Sequence, residues 1–199
     1  MTYTLVADGS SDKVLLPILT WSLQQRDVTP IMEQWADIGR TPGGTEDRLK
    51  TALDLYPCDV LFVHRDAESQ PSDLRRAQIA DALRWTLVRH IPVVPVRMME
   101  AWLLIDESAI RSAAGNPNGT ENLSLPDIRR LEDIPNPKRV LHDALTTASG
   151  LNARRRSRLS VPERVHRIPN YIDDFSRLNV LPAFQTLQED IRVLVENFI

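Results

Sequence analysis

The feature that most constrains this chain is an alternation. Within the first hundred residues, short apolar runs give way four times to helix-like patterns, with short polar connections between them. Residues 3–7 (YTLVA) read as a buried strand closed by Asp8-Gly9. Val14, Leu15, Ile18, Leu19 and Leu23 then recur with a 3.6-residue period. Residues 30–36 (PIMEQWA) read as a second strand, followed by the polar loop DIGRTPGG and a helix from Thr45 to about Tyr56. The run DVLFVHRD (59–66) is the strongest strand signal, β-branched and aromatic throughout and ending in acid. Ser72 opens a helix to about Arg89, and IPVVPVRM (91–98) is a fourth strand whose two prolines suit an edge or a bulge.

This order predicts an α/β fold: a Rossmann-like, four-stranded parallel sheet with helices on both faces. After Met98 the pattern turns helical. EAWLLIDESAIRSAAG reads as helix, residues 116–138 as a proline-studded loop and Lys138–Thr147 as a short helix. ARRRSR lies in a basic connector, and Phe184, Leu187, Ile191, Leu194 and Val195 mark an amphipathic helix from about Leu181 to Asn197. The expected organisation is an α/β core over 1–110 and a C-terminal helical cap over 111–199, packed on the same domain.

A length of 199 residues supports one well-buried core, and 42% hydrophobic with 26% charged residues fits a globular chain. The net charge of −3 gives no whole-chain electrostatic case for nucleic acid, so any such case rests on a local patch. Cys58 is the single cysteine, which excludes an intrachain disulfide and a cysteine-based zinc site. No histidine pair has zinc spacing. No stretch reaches the roughly 18 apolar residues of a membrane span, and nothing reads as a signal peptide. The expectation is a cytoplasmic protein without membrane contact.

In open α/β sheets, ligands bind beyond the carboxyl ends of the strands, where strand order reverses. Acids stand at those ends: Asp8 after the first strand, Asp66 and Glu68 after the third, and Glu100 after the fourth, with Asp106 further along. If the first and third strands are neighbours, Asp8, Asp66, Glu68 and Glu100 converge on one rim. Clustered carboxylates repel, and a hard cation such as Mg²⁺ or Mn²⁺ relieves that repulsion while keeping waters for a phosphate substrate. Acids also end strands simply as turn and cap residues.

LVADGSSDKVLL followed by VLFVHRDAE resembles the Toprim domain, the metal-binding module of topoisomerases, primases and overcoming-lysogenization-defect nucleases. Asp8-Gly9-Ser10-Ser11-Asp12 corresponds to that domain's first acidic turn, and Asp66-Ala67-Glu68 to its second acidic motif. MMEAWLLID, IPNPKRVL and DDFSRLNVLPAFQTL resemble a family of small Toprim-like proteins, some of them from bacterial mobile or defence loci. The resemblance implies metal-assisted phosphodiester chemistry. Asp66 and Glu68 would hold Mg²⁺ or Mn²⁺, Asp8 would complete the site and handle a proton or position water, and Glu100 would hold a second cation. Two departures stand out: Asp8 replaces the usual glutamate and Glu68 the usual aspartate.

Several residues have two readings. Ser10 and Ser11 serve as helix caps or present N–H and hydroxyl groups to a phosphate, and Gly9 permits the turn. Lys13 is solvated or reaches that phosphate. Arg154, Arg155, Arg156 and Arg158 form a solvated surface or clamp a nucleic-acid backbone, with Arg40 and Lys138 as lesser candidates. His64 reads as packed, Cys58 as a small buried hydrophobe, and Trp102 and Leu103 as packing for the cap. Three functions remain open: a metal-dependent nuclease or nuclease-like effector acting on DNA or RNA; a non-cutting Toprim-like metal- or nucleic-acid-binding module beside a partner ATPase; and a receiver-type phosphate-handling domain. Against the last, no adjacent acidic pair follows the first strand.

Overall fold

The computed structural model describes residues 1–39 and 43–197; Arg40 lies outside them. Its centre is a four-stranded, wholly parallel sheet of β1 (Thr2–Val6), β2 (Met32–Trp35), β3 (Val60–His64) and β4 (Arg89–Val93). The spatial order is β2-β1-β3-β4. From β1 the chain crosses to one side for β2, then returns to the other side of β1 for β3 and continues to β4. The sheet therefore reverses direction between β1 and β3, which pair with Leu5 opposite Phe62 and Val6 opposite Val63.

Alternation along the strands divides the core. Tyr3, Leu5, Val60, Phe62, Ile91 and Val93 face α1 (Leu15–Gln24) and the C-terminal half. Val6, Leu61 and Val63 face α2 (Thr45–Leu55) and α3 (Ser72–Ala82) through Leu49, Ala52 and Ile79. Helices thus cover both faces, as a buried parallel sheet requires. On the first face the Tyr3 hydroxyl donates to the Leu16 carbonyl (3.0 Å), tying β1 to α1, and the Tyr3 ring stands edge-on to Phe62.

Sequence and structure differ at element ends. The third helix stops at Ala82, seven residues short of Arg89, where Trp85 Nε1 donates to the Ala82 carbonyl and Leu83 leaves helical geometry. β4 begins earlier and ends at Val93. It is an edge strand, where the missing Pro92 N–H costs no ladder bond.

Beyond β4 comes a 3-10 turn, Met99–Leu103, rather than continuous helix. It is followed by α4 (Glu107–Ala114) and α5 (Pro137–Ala148), with a further 3-10 turn, Ile128–Asp133, between them. The basic connector contains one helical turn, α6 (Ala153–Arg156), before α7 (Val161–Val165) and α8 (Pro182–Glu196). Apart from the exposed α6, these helices share one apolar core with the sheet, from Leu5 and Phe62 through Trp102 to Leu141, Phe184 and Ile191. Trp102 meets Phe184 edge-on at 5.3 Å. Among the described residues, no helix is long and apolar enough to cross a membrane.

Candidate functional site

The site forms where β1 and β3 end side by side. Past Val6 the chain leaves the sheet at Ala7, whose carbonyl accepts from the Arg48 guanidinium of α2. Gly9 follows with extended backbone (φ −134°), and a Cβ there would make only an ordinary contact with Ser11. Glycine is therefore not demanded by the turn. Neither serine caps the helix. Instead Asp12 folds back, Oδ2 accepting from Gly9 N (3.1 Å) and Oδ1 from the Ser11 hydroxyl (3.0 Å). That bond buries the Asp12 carboxylate beside the strand ends.

His64, the last residue of β3, shares the face of Val60 and Phe62 and is buried. Its Nδ1 lies 3.0 Å from the Val93 carbonyl, which can only accept, so Nδ1 carries a proton. Nε2 then faces acid, 3.4 Å from Asp66 and 3.8 Å from Asp12. Burial holds the imidazole below the ordinary histidine range, against the opposing pull of Asp12, the Val93 carbonyl, Asp8 and Glu100. A neutral ring therefore directs a lone pair at two carboxylates. Such an arrangement is relieved by a proton or a cation between them.

Asp66 accepts from Met99 N at 2.9 Å. Burial pushes its carboxyl up to about 7, with Glu100, Asp12 and Glu68 adding to the rise and the Met99 N–H opposing it. Beyond His64 the chain stays laddered to the segment after β4, through Ala67 N to the Pro95 carbonyl (3.2 Å) and Glu68 N to the Arg97 carbonyl (3.0 Å). Glu68 itself adopts φ 55°, so extended backbone is not what aligns it with Asp66.

Asp8, Asp12, His64, Arg65, Asp66, Glu68 and Arg75 line one cleft of about 150 Å³. Arg65 Nε sits 3.4 Å from Asp8, and Arg75 Nη2 sits 3.9 Å from Glu68. Three expected residues are thus brought together: Asp8, Asp66 and Glu68. Glu100 is close enough to raise Asp66 but does not line the cleft; it is buried, 3.5 Å from Lys138 of α5. Asp106 is committed elsewhere, as the cap of α4, accepting from Ala109 N.

The expected phosphate and nucleic-acid residues lie apart. Ser10 and Lys13 are exposed, Ser11 bonds to Asp12, and none of the three lines the cleft. Arg154, Arg155 and Arg156 project from α6, and with Arg158 they are exposed and outside the cleft. Cys58 is half-buried, with burial pushing its thiol up. Asp12, Arg65 and Arg75 were not anticipated from the sequence as site residues. Arg65 immediately precedes Asp66 at the end of β3, and the other two also had signals. Asp12 stands three residues after Gly9, the spacing at which an acid bonds back to a helix start. Arg75 stands one turn before the inward Ile79.

Comparison with family models, curated proteins and solved structures finds no match. The reading therefore rests on the chain itself. The donor set is chemically suited to a hard cation, since every carboxylate in the cleft offers oxygen. Among the described residues, no group of three or more His, Cys, Asp or Glu side chains is placed to hold a metal ion.

Proposed function

We propose that the chain is a Mg²⁺- or Mn²⁺-dependent nuclease, or nuclease-like effector, acting on nucleic-acid phosphodiesters. One observation carries this reading: Asp8, Asp12, Asp66 and Glu68 line a single cleft at the point where the sheet reverses. Asp66, with Asp12 beside it, would hold the ion. When bound, such a cation neutralises charge on the phosphodiester and makes water more acidic.

The chain's own residues supply the rest. Asp8 is largely exposed at the mouth, suited to taking a proton from an attacking water or positioning it. His64 fixes the floor through Val93. Glu100 deepens the negative field at Asp66 without entering the cleft. The motif resemblance to Toprim proteins supports the same chemistry, and the single cysteine suits a reducing, cytoplasmic setting.

The test is cleavage of supercoiled DNA and of single-stranded RNA with Mg²⁺ or Mn²⁺ at pH 8. Asp66→Asn and Asp8→Ala should each lose about a hundredfold or more. Cleavage that survives both substitutions removes the proposal.

A second reading is favoured by the ion pairs. Asp8 and Glu68 both already face arginines. This suits a module that binds a cation or nucleic acid without cutting, beside a partner ATPase. Mn²⁺ binding without cleavage of either nucleic acid would select it.

A further inference from the structure

The cleft contains an imbalance that the cation reading leaves unused. Arg75 is only 8% exposed, yet among the described residues its Nε has no hydrogen-bond partner, and the guanidinium meets Gln78 (2.9 Å) and, at 3.9 Å, Glu68. Arg65 is a milder instance: its buried Nε makes no aligned hydrogen bond, although Asp8 Oδ2 lies 3.4 Å from it. A buried guanidinium N–H without an acceptor retains its desolvation penalty. Two such groups on one small cleft are under-used donors, and the group that best satisfies a planar guanidinium there is a tetrahedral oxyanion.

We propose that Arg65 and Arg75 are the phosphate-binding residues of this site, and that their present pairs with Asp8 and Glu68 are exchanged on loading. In the loaded cleft the arginines take phosphate oxygens, and the released Asp8 carboxylate is free to position water at the mouth. This rests on the cation reading above.

Charge dictates the order. Four carboxylates against two guanidiniums leave the ionised cleft two charges negative, so an anion does not enter alone. A divalent cation cancels that excess and admits the phosphate. Cation and phosphate must then bind with positive, reciprocal coupling. Size sets the ligand class: about 150 Å³ accommodates a phosphate group and an ion with a few waters, and leaves sugar and base outside. The site therefore reads phosphate, not base identity.

The experiment measures Mn²⁺ binding to the full chain by electron paramagnetic resonance and calorimetry, with and without inorganic phosphate. Phosphate should tighten Mn²⁺ about 5- to 100-fold. Arg75→Gln and Arg65→Gln should each abolish that tightening while binding Mn²⁺ at least as well as the wild type. Circular dichroism melts check folding, and the more exposed Arg65 provides the safer variant.

A dinucleotide with a 5′-phosphate is then compared with its 5′-hydroxyl counterpart. Tightening by both assigns the site to backbone phosphate, and tightening by the first alone to a terminal one. Mn²⁺ binding that ignores phosphate, or tightening that persists in both arginine variants, overturns this inference alone. Absence of Mn²⁺ binding in the wild type overturns the cation reading and this inference together.

Discussion

At the β4 edge a groove of about 840 Å³ runs between α3 and α8, lined by Ala77, Ala80, Leu87, Ile91 and Leu194 among others, while the acidic cleft holds only about 150 Å³. The groove exists because β4 is the last strand. α3 covers one face and α8 the other, and among the described residues no fifth strand fills the gap between them. The ion pair of Arg76 and Asp190 (2.7 Å) spans it. The cleft exists because the sheet reverses between β1 and β3, so two loops diverge there and leave their side chains facing one another. Space in this molecule reports an unfilled edge; unbalanced charge reports the place suited to chemistry.

The contrast breaks first, and by the largest amount, at Asp66. Its raised carboxyl means that the folded, cation-free protein holds a proton that the unfolded chain has already released. The stability that Asp66 contributes in EDTA should therefore be fully present below about pH 4 and be lost as pH rises towards about 7. Asp66→Asn removes that charge. At pH 8 in EDTA it should stabilise the protein by on the order of a few kcal/mol in urea unfolding, while losing Mn²⁺ binding. Saturating Mn²⁺ should flatten or reverse the wild-type pH slope. A destabilised Asp66→Asn protein would show that the acid is structural.

The groove should respond in the opposite sense and more weakly. Asp190→Asn strips Arg76 of its ionic partner and should cost about 1–2 kcal/mol in the same unfolding assay, with Mn²⁺ affinity unchanged. A change in Mn²⁺ affinity there would couple the two hollows and dissolve the distinction. Smallest of all, Leu87→Ser at the fully exposed rim of the groove should stay within about 0.5 kcal/mol. A clear loss of solubility or a change in sedimentation would instead mark that rim as a contact surface.

Much of the scaffold was legible because period-two and period-3.6 apolar patterns encode which faces are buried. VLFVH could only be a doubly covered strand, and it lies beside YTLVA, the condition on which convergence of the acids depended. Element ends were read less well. Trp85 closing α3 through its indole N–H is a side-chain event that periodicity does not register. At the site, strand-end position located Asp8, Asp66 and Glu68, since topology alone brings those ends together. It misjudged Glu100, which stays outside the cleft with its carboxylate 3.5 Å from Lys138 of α5. Asp12 and Arg75 were missed because each enters the cleft by a local bond or a helix face, not by standing at a strand end. Arg65 does stand at a strand end and was missed because only acids were sought there.

The contact between Lys138 and Glu100 has a consequence for how this protein can be divided. The acids that line the cleft all come from the first half of the chain, whereas the counter-charge moderating their buried neighbour is delivered from α5. Trp102 and Phe184 tie the same two halves mechanically. The α/β half is therefore not a portable cassette. Grafted alone onto another scaffold, it would carry its ligating side chains into a different electrostatic setting, with an apolar face stripped of its cover.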